Sequence, residues 1–446
     1  MMKRVAYHNL GCKVNSYEMD VMLQELQADG YELVPFEEQA DVYIVNTCSV
    51  TNIADRKSRQ MLHKAKKTNP QGIVVAVGCY VQTGTDQVRE DDAVDLLVGN
   101  NRKKDLVRIL REYMDGTGED NVIDINHTNE YEEMQLKKTA EHTRAYIKIQ
   151  DGCNQFCSYC IIPYARGRVR SRQEEDIIRE ITGLVQAGYQ EFVLTGIHIS
   201  SYGVDFEKGA VMGPALLQLL RKVDEIPGVK RIRIGSLEPR VITEEFVQGM
   251  SELKHLCAHF HLSLQSGCDE TLRRMNRHYD TERFYHGVEL LRQAFTEPAI
   301  TTDVIVGFPG ETEEEFEITR AFLEKICFYE MHVFKYSKRK GTRAAVMENQ
   351  VPEQIKSVRS DVLLKMEAIQ SESYRKRLLH QQVEVLMEES KEINGTIYQI
   401  GHTREYVKVA VRTEEDLSNK FITGTVTGML SEEILLLDSN LNFANN

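Results

Sequence analysis

The sequence predicts an α/β protein in three parts: an N-terminal parallel α/β domain, a central partial (βα)6 barrel and a small C-terminal antiparallel β-barrel. Three observations lead there. Strand and helix patterns alternate over the first hundred residues, the alternation resumes after a polar stretch and runs through six units, and the last part breaks into short alternating segments separated by Gly, Asn and Asp. A length of 446 residues accommodates roughly three domains.

In the first part, "KRVAYHNLG" reads as a strand and "SYEMDVMLQELQADG" as a helix with Ser16 as N-cap, a Met19, Leu23, Leu26 stripe and Gly30 as its stop. "DVYIVNT" is the next strand, a helix of about residues 52–67 follows, and "GIVVAVG" is the third strand. This domain is expected over residues 1–115, and the polar residues 116–143 as a linker. In residues 144–374, "AYIKIQ", "EFVLTG", "RIRIGS", "HFHLSLQ", "AITTDVIVG" and "EMHVFKYS" read as strands of an open barrel, closed by a long amphipathic helix from Pro352. Residues 375–440 carry "QQVEVLMEE", "GTIYQIGH", "EYVKVAVR", "FITGTVTGML" and "EEILLLDS", the pattern of a small barrel of a kind that often binds oligonucleotides, with a plain structural cap as the alternative.

A net charge of −13 argues against a protein that grips nucleic acid over its whole surface. Local basic stretches exist: Arg166, Arg168, Arg170 and Arg172; Arg56, Lys57, Arg59, Lys64, Lys66 and Lys67; and Lys335, Lys338, Arg339 and Lys340. Each alone reads as a solvated face. The longest apolar runs fall far short of the roughly 20 residues a bilayer span needs, and no signal-peptide core opens the chain, so a cytoplasmic protein without membrane contact is expected.

Nine cysteines are too few and too irregular for a disulfide scaffold. Cys12, Cys48 and Cys79 each follow one of the three N-terminal strands, the sheet edge where α/β folds place ligands. A shared metal or cluster site explains that recurrence better than three unrelated buried cysteines. Cys153, Cys157 and Cys160 form a second triad in "DGCNQFCSYCIIPYARG", after the first barrel strand, with no fourth ligand nearby. A cubane cluster on three cysteines keeps one iron free for a small molecule. A zinc RNA-binding knuckle would want a fourth Cys or His at short range, and an iron–sulfur electron carrier of the two-cluster ferredoxin kind would carry C-x2-C-x2-C-x3-C-P; neither pattern is present.

The C-x3-C-x2-C spacing, Tyr159 before the last cysteine and the position after a barrel strand resemble the radical S-adenosylmethionine superfamily. Over nearly the whole chain, both cysteine sets with "NTCSVT", "GCNQFCSYCIIPYARGRVRSR", "HLSLQSGCDETLRRMNR" and "TDVIVGFPGETEEEF" resemble the methylthiotransferases, whose C-terminal barrel is a TRAM domain. That resemblance implies two [4Fe-4S] clusters. One, on Cys153, Cys157 and Cys160, holds S-adenosylmethionine at its open iron and generates a 5′-deoxyadenosyl radical; the other, on Cys12, Cys48 and Cys79, carries the added sulfur.

"GCKVNSYE", "NTCSVTNIADRKSRQ" and "LTGIHISSYG" resemble the branch that methylthiolates C2 of N6-threonylcarbamoyladenosine beside the tRNA anticodon. Isopentenyladenosine in tRNA, or an aspartate of a ribosomal protein, is the substrate of the other branches. The implied partners are a tRNA anticodon loop, an external flavodoxin- or ferredoxin-like electron donor and a sulfur donor. An anticodon loop presents unstacked bases, and the C-terminal barrel with Arg166, Arg168, Arg170 and Arg172 is expected to hold it.

At the barrel mouth, Tyr159, Thr195, Gly196, Ser236, Glu238, Gln265, Asp303 and Gly307 are candidates for S-adenosylmethionine contacts, the two glycines through close backbone approach. Turn or packing roles compete for each. Asp303, inside an apolar strand, needs a partner. His198 could line the mouth. Cys257, Cys268 and Cys327 lack metal-like spacing and read as core or incidental.

Overall fold

The computed structural model describes residues 3–138, 143–438 and 442–443. Residues 139–142 of the expected linker and 439–440 at the end of the expected C-terminal part lie outside these. The N-terminal sheet has five parallel strands, β1 (Arg4–Asn9), β2 (Glu32–Val34), β3 (Val42–Thr47), β4 (Ile73–Gly78) and β5 (Leu96–Val98), in the order β2-β1-β3-β4-β5. Its middle strands are nearly continuous apolar runs because both faces are covered. β2 and β5, with three residues each, are too short to leave a pattern in the sequence. Helix α1 (Lys13–Ala28) starts one turn before the expected Ser16 cap: Cys12 is its N-cap, without a side-chain hydrogen bond, and Ser16 lies within the helix. Helix α2 (Asn52–Thr68) is capped by Thr51, which accepts from the Ala54 N–H at 3.1 Å.

The barrel strands are β6 (Ala145–Asp151), β7 (Arg170–Ser171), β8 (Glu191–Gly196), β9 (Arg231–Ile234), β10 (His259–Gln265), β11 (Ala299–Val306) and β12 (Glu330–Lys335). β6, β8 and β9 run parallel, as do β10, β11 and β12. Bridges Leu237↔Leu262 and Ile232↔Leu256 join the two groups into one curved wall of six parallel strands. The two-residue β7 adds antiparallel to β6. β12 and β6 do not pair, so the barrel is open on that side.

The N-terminal domain spans the opening. On the β6 side, Glu18 of α1 pairs with Lys148 at 2.7 Å and with Arg166 at 2.6 Å. On the β12 side, Arg339 pairs with Asp55 of α2 at 2.5 Å and donates to Ser49 Oγ at 2.8 Å, while Asn52 Nδ2 donates to the Lys338 carbonyl. The polar stretch expected as a linker is packed along this seam: Ile125, Met134 and Leu136 are buried, and the Tyr17 hydroxyl donates to the Met134 carbonyl at 2.6 Å.

At the other end of the strands sits the C-terminal barrel of β13 (Gln382–Ile393), β14 (Thr396–His402), β15 (Lys408–Arg412), β16 (Phe421–Met429) and β17 (Leu435–Leu437), with β18 (Asn442–Phe443) added to β16. Pairings β13–β14–β15–β17–β16–β13 close the ring, all antiparallel except β15 with β17. It plugs the amino-terminal ends of the parallel strands. Arg231 and Arg233 donate to the His402 and Thr403 carbonyls at 2.8 and 2.7 Å, and the His259 and Tyr406 rings stack at 5.1 Å.

Glu191, 1% exposed, lies under this plug against Arg233, Arg144 and Arg231. Burial alone would raise its carboxyl, and the three guanidiniums outweigh burial and hold it at about 2. Because the folded value lies below the unfolded one, the stabilisation is complete above about pH 4.5 and is lost as pH falls towards 2, on the order of 3 kcal/mol. Glu191→Gln is expected to lower Tm at neutral pH and to remove that share of the acid slope, read by thermal unfolding at stepped pH.

Candidate active site

The loop after β6 folds back on itself. Gly152 has φ +70°, and a Cβ there would lie 1.8 Å from the Arg168 carbonyl oxygen, so only glycine fits immediately before Cys153. The Cys153 N–H donates to the Gly167 carbonyl at 3.0 Å and closes the loop around Cys157 and Cys160. A segment after β10 supports it: Ser158 Oγ donates to the Arg274 carbonyl at 2.8 Å, and the Arg277 guanidinium reaches Cys157 Sγ at 3.1 Å. Arg277 is itself fixed by the Tyr279 hydroxyl at 2.9 Å and the Ser263 carbonyl at 3.2 Å. Tyr159 meets the Phe308 ring edge-on at 6.4 Å, in the apolar cluster of Met275, Phe308, Tyr336 and Ala344.

The second triad is built by the carboxyl ends of the N-terminal strands. Cys12 caps α1, Cys48 follows β3, and Cys79 opens the short helix Cys79–Thr83 directly after β4. Gly11, at φ +114°, packs on Cys48, where an added Cβ would lie 3.3 Å from the Cys48 Cβ. Asn100 Nδ2 is 3.5 Å from Cys79 Sγ. Arg166 Nε is 3.3 Å from the same sulfur, and Arg166 belongs to the loop that carries the first triad. One side chain therefore ties the two cysteine sites together.

Arg166 is the centre of a buried charge cluster. Its other nitrogens meet Glu18, Asn15 Oδ1 at 2.5 Å and Asp151 at 3.3 Å; Lys148 bridges Glu18 and Asp151 at 2.7 Å each, Lys103 pairs with Glu18, and Arg170 stands 3.6 Å from Asp151. The cations hold both carboxyls well below the usual range against the cost of burial. Four cations face these two carboxylates, and burial drives the neighbouring Glu132 upward, towards its neutral form.

Such a surplus of buried positive charge is costly unless an anionic group lies beside it. A thiolate-held iron–sulfur cluster on Cys79, Cys12 and Cys48 is such a group. Burial pushes the Cys48 and Cys153 thiols up to about 11, so their thiolate forms call for a bound metal. At the mouth, His198 Nδ1 pairs with Ser201 Oγ at 2.7 Å while the buried Nε2 has no hydrogen-bond partner among the described residues. Burial, then Arg277 and Arg240, hold that imidazole neutral, at about 3. The residues present fit two clusters and a polar ligand between them.

The expectation that Arg166, Arg170 and Arg172 contact RNA is overturned. All three are buried, Arg172 against Glu133 at 2.5 Å and against Glu180; only Arg168 is half exposed, its guanidinium 4.7 Å from the Phe156 ring centroid. The mouth residues divide. Ser236 is exposed at the end of β9, and Gln265 ends β10 with φ +72°. Thr195 is buried beside Lys148, and Gly196 is fitted to Gln150, whose Oε1 would lie 2.9 Å from an added Cβ. Glu238 accepts from Arg240 Nε at 2.8 Å. Gly307 is explained by packing: an added Cβ would meet Lys356 Cγ at 2.3 Å. Asp303 finds its partner in His261 at 3.3 Å. Cys257 and Cys268 are buried, whereas Cys327 is exposed at a helix end.

Residues 147–323 match the model of the radical SAM superfamily, and residues 4–99 that of the uncharacterized protein family UPF0004. The threonylcarbamoyladenosine tRNA methylthiotransferase MtaB of Bacillus subtilis is 41% identical over 94% of this chain and 93% of its own. The chain belongs to the radical S-adenosylmethionine methylthiotransferases. The MtaB protein of Aquifex aeolicus is 39% identical over 82% of this chain and 88% of its own. A tRNA-2-methylthio-N(6)-dimethylallyladenosine synthase of Caldicellulosiruptor saccharolyticus is 35% identical over 94% and 89%. Among solved structures, the radical S-adenosylmethionine methyltransferase TsrM from Kitasatospora setae superposes with a TM-score of 0.58 at 14% identity, over 78% of this chain and 74% of that one, a likeness of fold alone.

Arg277, Arg339, Glu18 and Lys148 were not anticipated as parts of the site. The only sequence signal for Arg277 was its place in the methylthiotransferase-like phrase "LRRMNR" that ends just before "HYD". The others act through partners far away in the chain.

Proposed function

We propose that this protein adds a methylthio group to C2 of N6-threonylcarbamoyladenosine next to the anticodon of tRNA. The observation that supports the chemistry is the reach of Arg166 from the loop of one three-cysteine group to a sulfur of the other, which fits two incompletely ligated sites facing one chamber. The substrate follows the relatives: proteins named for threonylcarbamoyladenosine are 36–41% identical. The dimethylallyladenosine synthases, at 33–35%, carry the second reading.

When bound, the clusters and S-adenosylmethionine supply the radical, the sulfur and the methyl group; the chain supplies the enclosure and its charge. Arg277 and Arg166 donate to Cys157 Sγ and Cys79 Sγ, and hydrogen bonds to ligand sulfurs tune such sites. The N-terminal domain, pinned by Glu18 and Arg339, keeps water from the open side of the barrel. Ser236, Gln265 and the free Nε2 of His198 are the polar groups at the mouth available to S-adenosylmethionine, with Tyr159 as an apolar wall.

RNA meets a different basic surface from the one expected. Arg56 and Lys57 of α2 and Lys338 and Lys340 after β12 are exposed on the two sides of the seam that Asn52 and Arg339 stitch, beside exposed Val50 and Ile53. Cations to meet phosphate next to apolar surface for unstacked bases suit an anticodon loop. An external electron donor and a sulfur donor complete the reaction. Mass spectrometry of nucleosides from tRNA of cells lacking this protein tests the reading: loss of the 2-methylthio mark on threonylcarbamoyladenosine is expected. An intact mark there, with loss on dimethylallyladenosine, would establish the second reading instead.

A further inference from the structure

In β10 and β11 the apolar residues fall on alternate positions across the barrel wall, with a register irregularity between Leu262 and Gln265. Phe260, Leu262, Leu264, Ile300, Val304 and Val306 point into the main core under the outer helices, so His261 and Asp303 lie on the opposite, inner face. Register pairs Asp303 with His332 and His261 with Thr301, which places His261, Asp303 and His332 side by side on three adjacent strands. One polar atom of each lies within 4.8 Å of the others. Ile305, on the same face as Asp303 and about 7 Å further along the strand, packs on the same apolar cluster around Phe308 and Tyr336 as Tyr159, the residue before Cys160. The trio thus lines the chamber one layer beneath the first cysteine triad.

The three groups are unequally engaged. His261 is held at both nitrogens, with Nδ1 3.0 Å from Thr301 Oγ1 and Nε2 3.3 Å from Asp303 Oδ2. The His332 ring lies 5.8 Å from the His261 ring at 25°, is exposed, and makes no hydrogen bond among the described residues. Asp303 keeps a second oxygen and 30% of its side-chain surface open. A donor at His332 and an acceptor at Asp303 therefore face the same space.

We infer that His261, Asp303 and His332 read the polar side chain of the modified adenine, an inference that rests on the substrate proposed above. A threonylcarbamoyl group offers a carboxylate for the His332 N–H and a ureido N–H and hydroxyl for the open oxygen of Asp303, whose other oxygen is taken by His261 Nε2. A dimethylallyl group offers nothing to any of them, and its entry would strip water from three polar groups without replacing it. Sites built to hydrogen-bond a substrate reject analogues that cannot reciprocate.

The test is binding of anticodon stem–loops carrying threonylcarbamoyladenosine or dimethylallyladenosine to the reconstituted enzyme with S-adenosylmethionine, for the wild type, His332→Leu and Asp303→Asn. Iron content serves as the check on folding. The wild type is expected to favour the threonylcarbamoyl stem–loop by at least about tenfold, and His332→Leu to lose most of that ratio. An unchanged ratio in both variants overturns the inference and leaves the proposed function standing. A wild type that favours the dimethylallyl stem–loop overturns both. One equivalent of zinc bound by the wild type and lost in Asp303→Asn would make the trio a metal site and also overturn the inference.

Discussion

Arg166→Gln is expected to cost the protein its N-terminal cluster while the barrel cluster remains: anaerobic reconstitution should bring iron down from about eight to about four per chain. Arg166 is fully buried, and its guanidinium serves four partners at once, Cys79, Glu18, Asn15 and Asp151. Removing one member of a buried ion cluster leaves the rest uncompensated, at a cost of about 3–5 kcal/mol. Here Glu18 and Asp151 keep Lys103, Lys148 and Arg170 as partners, and what is lost is the one guanidinium that joins Glu18 and Asn15 of the N-terminal domain to Asp151 and to Cys79, so the loss falls on docking of that domain as well as on the sulfur. Arg166→Lys keeps the charge and forfeits the fork that reaches the sulfur and the carboxylates together, so it should rescue stability in part and cluster content less. A surface arginine gripping RNA, as the sequence suggested, would instead leave iron untouched and weaken tRNA binding.

Replacing Cys12, Cys48 and Cys79 together by alanine has the largest expected effect on product. Methylthiolated tRNA should disappear, yet release of 5′-deoxyadenosine on reduction with S-adenosylmethionine should continue, because Cys153, Cys157 and Cys160 are supported from within the barrel by Gly167, Arg274 and Arg277. Loss of 5′-deoxyadenosine as well would mean that the barrel site depends on the N-terminal triad. Chromatography of the reaction mixture beside nucleoside analysis of the tRNA separates the two outcomes.

The meeting of Cys12, Cys48 and Cys79 at one sheet edge was legible because strand ends in a parallel sheet converge by topology, and Cys153, Cys157 and Cys160 share one loop by their spacing alone. The strands of the central and C-terminal barrels were legible from patterns of adequate length, whereas β2, β5 and β7 were too short to carry one. The arginines after the first triad were misread for a definable reason. A run of alternating cations looks solvated when its counter-charges lie elsewhere, and Glu18 is 148 residues from Arg166. The same holds for Arg339, which meets Asp55 across 284 residues. Sequence spacing says which groups can chelate together; it does not say which distant carboxylate will bury a cation. Gly307 shows the converse limit, a glycine whose packing against Lys356 on the closing helix no local pattern announces.

The central claim is that both triads face one chamber closed by the N-terminal domain. Electron paramagnetic resonance of the reduced, reconstituted enzyme tests it most directly, with the Cys12→Ala, Cys48→Ala, Cys79→Ala variant as reference. Two clusters on one chamber predict a spin–spin interaction in the wild type that is absent from the variant. A wild-type spectrum that is the plain sum of two isolated centres, or that contains a single centre, would contradict the account.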